Sequence, residues 1–213
     1  MNVPVDFRRV PYNDIRARAH GAVPDGERLL GGEIAWPGHR LRKPRRSRRP
    51  QVLRGLRMPG DRLMGVSRAL TRLVRLPYFG GFDWLFEWQR RRGKPLQGGW
   101  DSDGGQLAAA LWPVSRTTDA VPVLQLTDRR LQIVYVQRAR RGTAKQLGAV
   151  EPGWSTQAHK VAWIRHRADI DADTYEIGFT DGSWVRVRLP SQRAVRFFEA
   201  FPESCRRSAP SPG

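Results

Sequence analysis

The stretch TYEIGFTDGSWVRVRL, residues 174–189, decides the fold, because two runs of alternating apolar and polar residues flank a turn signal. A slip of one residue would move every side chain of a strand to the opposite face of the sheet. The loop length is therefore the one that places the apolar residues of both strands on the same face. A two-residue loop, Asp181-Gly182, would place apolar residues opposite polar ones. A three-residue loop, Thr180-Asp181-Gly182, separates them and predicts a type I turn with a bulge and a left-handed Gly182. The predicted cross-strand pairs are Ile177 with Val185, Tyr175 with Val187, Glu176 with Arg186, and Gly178 with Trp184.

A second hairpin is predicted upstream, between a run at 121–126 and a run at 131–136. Pairing Leu126 with Leu131 leaves both faces largely apolar, which is typical of strands covered on both sides. Other strand signals lie at 161–167, more weakly at 147–150 and 155–158, and, weakened by glycines, at 27–36.

A closing helix is predicted after Pro190, with Ser191 as its N-cap and Pro202 at its end. Its apolar face is expected to comprise Ala194, Val195, Phe198 and Phe201. The tail, 203–213, contains three serines and two prolines and is expected to be disordered.

The positive charge lies mainly in the first half of the chain. The whole chain of 213 residues has a formal net charge of +18, and nine of the eighteen residues from 40 to 57 are Arg or Lys. That stretch is expected to be a solvated loop. Such charge suits an anionic partner, either nucleic acid or an anionic bilayer. Arginine greatly outnumbers lysine, however, as in proteins from GC-rich, actinobacterial-type genomes, so part of the excess is open to explanation by codon usage.

An amphipathic helix is predicted at 61–76, with arginines on its polar face, and aromatic residues follow it at 78–88. This combination is typical of helices that lie at a bilayer interface. The alternative is that the apolar face docks on the protein core while the arginines face water. The predicted contacts to anionic head groups are Arg45, Arg46, Arg48, Arg49, Arg68, Arg72 and Arg75, with Trp84, Phe86 and Trp88 as interfacial anchors. A short helix is predicted at 105–112.

The order of three motifs resembles the bacterial pleckstrin-homology-like (PH-like) family, which is related to GRAM-like domains. These motifs are Pro24-Asp25-Gly26-Glu27, then Leu126-Thr127-Asp128-Arg129-Arg130-Leu131, then Phe179-Thr180-Asp181-Gly182-Ser183. The resemblance implies a strongly bent antiparallel barrel or sandwich of seven strands, plugged at one end by the last helix. The fold class is therefore expected to be mainly β with helices (α+β). About 80 residues separate the first candidate strand from the second, which departs from the family pattern.

The resemblance and the composition together predict a division of the chain. An irregular arm, 1–21, precedes a PH-like β-domain formed by 22–37 and 119–202. A basic insertion, 38–118, interrupts this domain, and the tail begins at 203.

Residues suited to catalysis or metal binding are scattered. None of the four histidines has a partner at metal-ligand spacing. The run Asp169, Asp171, Asp173 resembles half of a calcium loop, but Thr174 and Thr180 stand where the glycine and the final glutamate belong. A solvated turn is the better interpretation, and neither an enzyme nor a cofactor is expected.

The expected location is the cytoplasm, either free or associated with a membrane surface. The single Cys205 fits a reducing compartment, the N-terminus lacks an apolar signal core, and no window reaches the ~20 apolar residues of a membrane span. The predicted function is a non-enzymatic module that contacts anionic lipid head groups as a peripheral membrane or scaffold protein. Two alternatives stay open, nucleic-acid binding through 40–57 and protein–protein interaction as an adaptor.

Overall fold

The computed structural model describes residues 12–56, 94–115, 119–138, 147–190 and 193–207. The helices are α1 (Tyr12–His20), α2 (Asp103–Ala110) and α3 (Ala194–Glu199). The strands are β1 (Leu29–Ile34), β2 (Trp36–Pro37), β3 (Leu96–Gln97), β4 (Asp119–Thr127), β5 (Arg130–Arg138), β6 (Leu147–Gln157), β7 (Val161–His166), β8 (Thr174–Phe179), β9 (Trp184–Arg188) and β10 (Arg206–Arg207). Single turns of 3₁₀ helix occur at Arg46–Arg48, Ala158–Lys160 and Glu203–Cys205. The predicted helix at 61–76 lies outside the described residues.

Four antiparallel strands form the first sheet, in the order β1-β4-β5-β6. The β4–β5 hairpin has the predicted register, with Leu126 opposite Leu131. The two weak strand signals at 147–150 and 155–158 belong to one strand, β6. Pro152 lies between the two signals and interrupts the strand pattern, because it has no amide hydrogen to donate. The β5–β6 ladder shifts register beside it, and the strand continues.

The second sheet has the order β10-β7-β8-β9-β2, and β3 also pairs with β9. All four predicted pairs between β8 and β9 are present. The amide of Phe179 donates to the carbonyl of Ser183 at 2.8 Å, so the loop has three residues, and Gly182 has a φ of 79°. The prediction for the stretch that decides the fold is therefore confirmed in register, loop length and glycine conformation.

The chain passes from the first sheet to the second at Ala35, which is fully buried between β1 and β2. The main core lies between the two sheets and receives side chains from both, such as Leu124 and Ile133 from the first and Ile177 and Val185 from the second. Helices α2 and α3 add to this core. The architecture is thus mainly β with few helices, and neither sheet closes on itself within the described residues.

The structure corrects the apolar face predicted for the closing helix. Ala194, Phe197 and Phe201 are buried, Phe198 is half-buried, and Val195 is 51% exposed. The true face therefore follows the spacing i, i+3, i+4, i+7 from Ala194, which excludes Val195. The predicted cap, Ser191, lies outside the described residues.

Two segments predicted to be irregular are ordered. Helix α1 lies within the predicted arm and packs Ile15 and Ala19 on the outer face of the first sheet. These are its main apolar contacts, so its periodicity is too weak to reveal a helix. In the predicted disordered tail, β10 pairs in parallel with β7, with Arg206 opposite Ile164.

Candidate anion-binding ridge

A basic segment follows β2 and covers residues 38–56, and we call it the ridge. It contains eight Arg or Lys residues and no Asp or Glu. Only one turn of 3₁₀ helix, Arg46–Arg48, and an isolated bridge at Gln51 give it regular structure. The prediction of a solvated loop at 40–57 is confirmed, for the residues described, in the lack of regular structure, but it is wrong about solvation at the buried positions.

Three apolar side chains hold the ridge on the β-domain. Leu41, Val52 and Leu53 are 6%, 3% and 1% exposed, and all three belong to the main core. The amide of Val52 donates to the carbonyl of Val114 at 3.1 Å, and the amide of Val114 donates to the carbonyl of Pro50 at 2.8 Å. The ridge is therefore a packed loop whose charged residues lie between buried anchors.

Two residues of the ridge have left-handed backbone conformations, Arg40 with φ 65° and Leu53 with φ 53°. Each such conformation costs about 1–3 kcal/mol outside glycine, so the surrounding contacts must impose it. Leu53 donates its amide to Oε2 of Glu151 at 2.5 Å, and the side chain of His39 lies 3.2 Å from Oδ2 of Asp171. Polar contacts thus hold the ridge near both of its ends.

The charges of the ridge face solvent. Its exposed basic residues are Arg40, Arg42, Lys43, Arg45, Arg46, Arg48 and Arg54. Among the described residues one carboxylate pairs with them, Asp101, whose Oδ1 accepts from Arg48 at 2.6 Å. Lys43 lies over the ring of Trp112, 5.4 Å from its centroid. The remaining charges lack acidic partners in the described part of the chain, so they are available to an anion from outside.

A cavity of about 380 Å³ opens where the ridge meets α2. Arg48 and Arg49 line it together with two indole rings, those of Trp100 and Trp154. The Nε atom of Arg49 is buried and has no hydrogen-bond partner among the described residues. Sequence reasoning singled out the arginines but missed both tryptophans, because they come from segments far apart in the chain.

The structure brings four of the predicted contacts together on the ridge. Arg45, Arg46 and Arg48 are exposed, and Arg49 is half-buried. The other predicted contacts and anchors lie outside the described residues, namely Arg68, Arg72, Arg75, Trp84, Phe86 and Trp88.

Arginines of the second sheet contrast with those of the ridge, because they surround a buried carboxylate. Glu176 on β8 accepts hydrogen bonds from Arg165 at 2.5 Å, Arg167 at 2.8 Å and Arg186 at 2.7 Å. Burial by itself raises the pKa of Glu176, but the hydrogen bonds from Arg186 and Arg165 and the charge of Arg167 outweigh it, so the pKa is lowered. These arginines stabilise the sheet and are not free to bind an external anion.

The three aspartates of the incomplete calcium motif have protein partners or lie near them. Both carboxylate oxygens of Asp169 accept from Arg167 at 2.7 Å, and this hydrogen bonding lowers the pKa of Asp169. Asp171 contacts His39, and Asp173 lies 4.0 Å from Arg188. Within the described segments, no group of three or more His, Cys, Asp or Glu residues is arranged to hold a metal ion. No helix in the described part of the chain is long and apolar enough to span a bilayer.

Comparisons of the chain with protein-family models, with curated proteins and with solved structures find no match.

Proposed function

We propose that this chain is a non-enzymatic binding module with a PH-like shell, and that the ridge contacts anionic lipid head groups at a membrane surface. The order of the elements supports the PH-like shell. The strands β1, β4, β5 and β6 form one sheet, β7, β8 and β9 follow in the other, and α3 comes after β9 and packs against the core.

The observation that carries the proposal is the seven exposed basic side chains on a segment that contains no acidic residue. A basic residue near an anionic membrane contributes about 1 kcal/mol. A segment that is already packed loses less conformational entropy on binding than a free chain does. The ridge therefore combines many available charges with a backbone that buried anchors hold in place.

The remaining predicted contacts extend the same proposal beyond the described residues. Arg68, Arg72 and Arg75 would add charge to the surface, and Trp84, Phe86 and Trp88 would insert at the interface. The cytoplasmic face of a membrane, where anionic lipids are concentrated, is the proposed location.

Co-sedimentation with vesicles tests the proposal. The protein is expected to bind vesicles of phosphatidylcholine mixed with phosphatidylserine and not to bind vesicles of phosphatidylcholine alone. Binding to the mixed vesicles is expected to weaken at higher salt. Binding to duplex DNA with a steep salt dependence, without vesicle binding, would contradict the proposal in favour of nucleic acid. Binding to neither would leave a protein partner as the better explanation.

A further inference from the structure

A surface that contains no residue of the ridge lies at an edge of the first sheet. Strand β1 occupies that edge, and β4 is its one partner among the described strands. In an antiparallel pair, residues alternate between those that bond to the neighbouring strand and those whose amide and carbonyl point outward. Ala35 donates to the carbonyl of Pro122 at 3.0 Å, so the alternation turns the amide and carbonyl of Gly32 away from β4.

The edge is closed beyond Gly32 by side chains. Ile34 is the next residue whose backbone amide points away from β4, and it donates this amide to Oε1 of Glu33 at 3.0 Å. The other oxygen of this carboxylate accepts from Arg16 at 2.6 Å. Gly32 has no hydrogen-bond partner outside β4 in the described structure, so it leaves one donor and one acceptor open at the edge.

A groove of about 450 Å³ lies along this edge, and we call it the β1 groove. Residues 29–33 of β1 line it, which corresponds to about 16 Å of extended strand. One side is formed by a stripe of α1 (Asn13, Arg16, Ala17 and His20), and the other by Arg196 and Phe197 of α3 with Arg193, which caps that helix. The volume is within the range of ligand sites, about 300–1,000 Å³.

The residues that line the groove indicate which kind of ligand fits it. Among the described residues that line it, three are arginines and one, Glu33, carries a carboxylate, which pairs with Arg16. Leu29 and Leu30 add apolar surface, and Leu30 is 39% exposed. A ligand that fits must therefore offer main-chain hydrogen bonds, negative charge and some apolar side chains.

We propose that the β1 groove binds an extended acidic peptide of a partner protein, which adds a strand to the first sheet beside Gly32. Strand addition at a sheet edge obtains affinity from main-chain hydrogen bonds and specificity from side chains. Arg196, which is exposed, would attract an acidic side chain of the peptide. The helices on both sides limit the groove to one extended chain.

The first experiment uses a fluorescent peptide of alternating Glu and Val as the probe, with fluorescence anisotropy as the measurement. A matched peptide, N-methylated at alternate residues so that one edge loses its donors, keeps the charge. Strand addition predicts that this peptide binds at least about tenfold more weakly. Equal binding of the two peptides would show an attraction that depends on charge alone and would overturn the proposal.

Charge-reversal variants separate this proposal from the proposed membrane function. Arg196→Glu is expected to weaken peptide binding about tenfold and to leave vesicle binding unchanged. Arg129→Glu, which makes the same charge change at the exposed β4–β5 turn, is the control and should bind the peptide normally. The ridge variant Arg45→Glu/Arg46→Glu should bind vesicles about tenfold more weakly and keep peptide binding. Loss of peptide binding in the ridge and turn variants alike would overturn the site.

Hydrogen exchange gives a measurement that needs no variant. The Gly32 amide is expected to exchange rapidly in the free protein and to become protected when the peptide binds. Protection already present in the free protein would mean that something else in the chain occupies the edge, and it would contradict the proposal.

Discussion

The molecule contains two groups of arginines that composition alone cannot distinguish. Arg165, Arg167 and Arg186 lie on the second sheet around Glu176, and Arg186 is 2% exposed. On the ridge, arginines such as Arg45 and Arg46 are exposed and have no carboxylate partner among the described residues. The first group stabilises the fold, whereas the second is available for binding. A net charge of +18 therefore says less about function than the position of each carboxylate does.

The largest expected effect concerns the first group. Replacing Glu176 with Ala leaves three arginines without their common partner, and loss of one member of a buried ion pair costs about 3–5 kcal/mol. We expect the free energy of unfolding, measured in urea, to fall by about that amount. A fall of under about 1 kcal/mol, within the range of an exposed ion pair, would contradict the structural role of this cluster.

The next effect concerns the anchors of the ridge. Leu53→Ala removes a side chain that is 1% exposed, and such changes in a core cost about 2–5 kcal/mol. Leu56→Ala is the matched control, because Leu56 is 41% exposed and belongs to the same segment. If the two variants were equally stable by urea unfolding, the ridge would not be anchored as described.

Acidification should weaken the ion pairs of the arginines around Glu176 and should not change the charge of the ridge arginines. The pKa of Glu176 is lower in the folded chain than in the unfolded chain, where it is about 4.3. The ion pairs of Glu176 therefore stabilise the protein fully when the pH is above that unfolded pKa. That stability is lost as the pH falls below this value and through the folded pKa. In urea unfolding from neutral to acidic pH, Glu176→Gln should therefore show a shallower loss than the wild type, with a residual slope from Asp169 and other carboxylates. Identical slopes would contradict the lowered pKa.

The smallest effect on stability is expected at the ridge itself. Substitution of Arg45 or Arg46 should change the free energy of unfolding by under about 0.5 kcal/mol, because neither side chain loses a described partner. Arg45→Glu/Arg46→Glu, compared with the wild type by thermal unfolding, checks this. A large destabilisation would place these two residues with the structural arginines.

The sequence predicts the hairpins well because turn chemistry and alternation are local signals. The pairing of Glu176 with Arg186 followed from one register choice. The contacts of Arg165 and Arg167 with the same carboxylate exist because β7 lies beside β8. No local sequence pattern predicts that these two strands are neighbours. The β1 groove needs α1, whose few apolar residues give little periodicity. The anchors Leu41, Val52 and Leu53 were missed for a similar reason, since they follow neither helical nor strand spacing.

The most direct test of the proposed binding surface compares two variants with the same net charge. Arg45→Glu/Arg46→Glu alters the ridge. Arg28→Glu/Arg129→Glu alters two exposed residues elsewhere, Arg129 in the β4–β5 turn and Arg28 before β1, whose amide donates to Asp128 in that turn. Each removes four units of charge, from +18 to +14. The measurement is the dissociation constant for phosphatidylserine-containing vesicles. We predict about tenfold weaker binding for the ridge variant and near wild-type binding for the turn variant. Equal weakening of both would show that total charge, and not the ridge, governs the attraction.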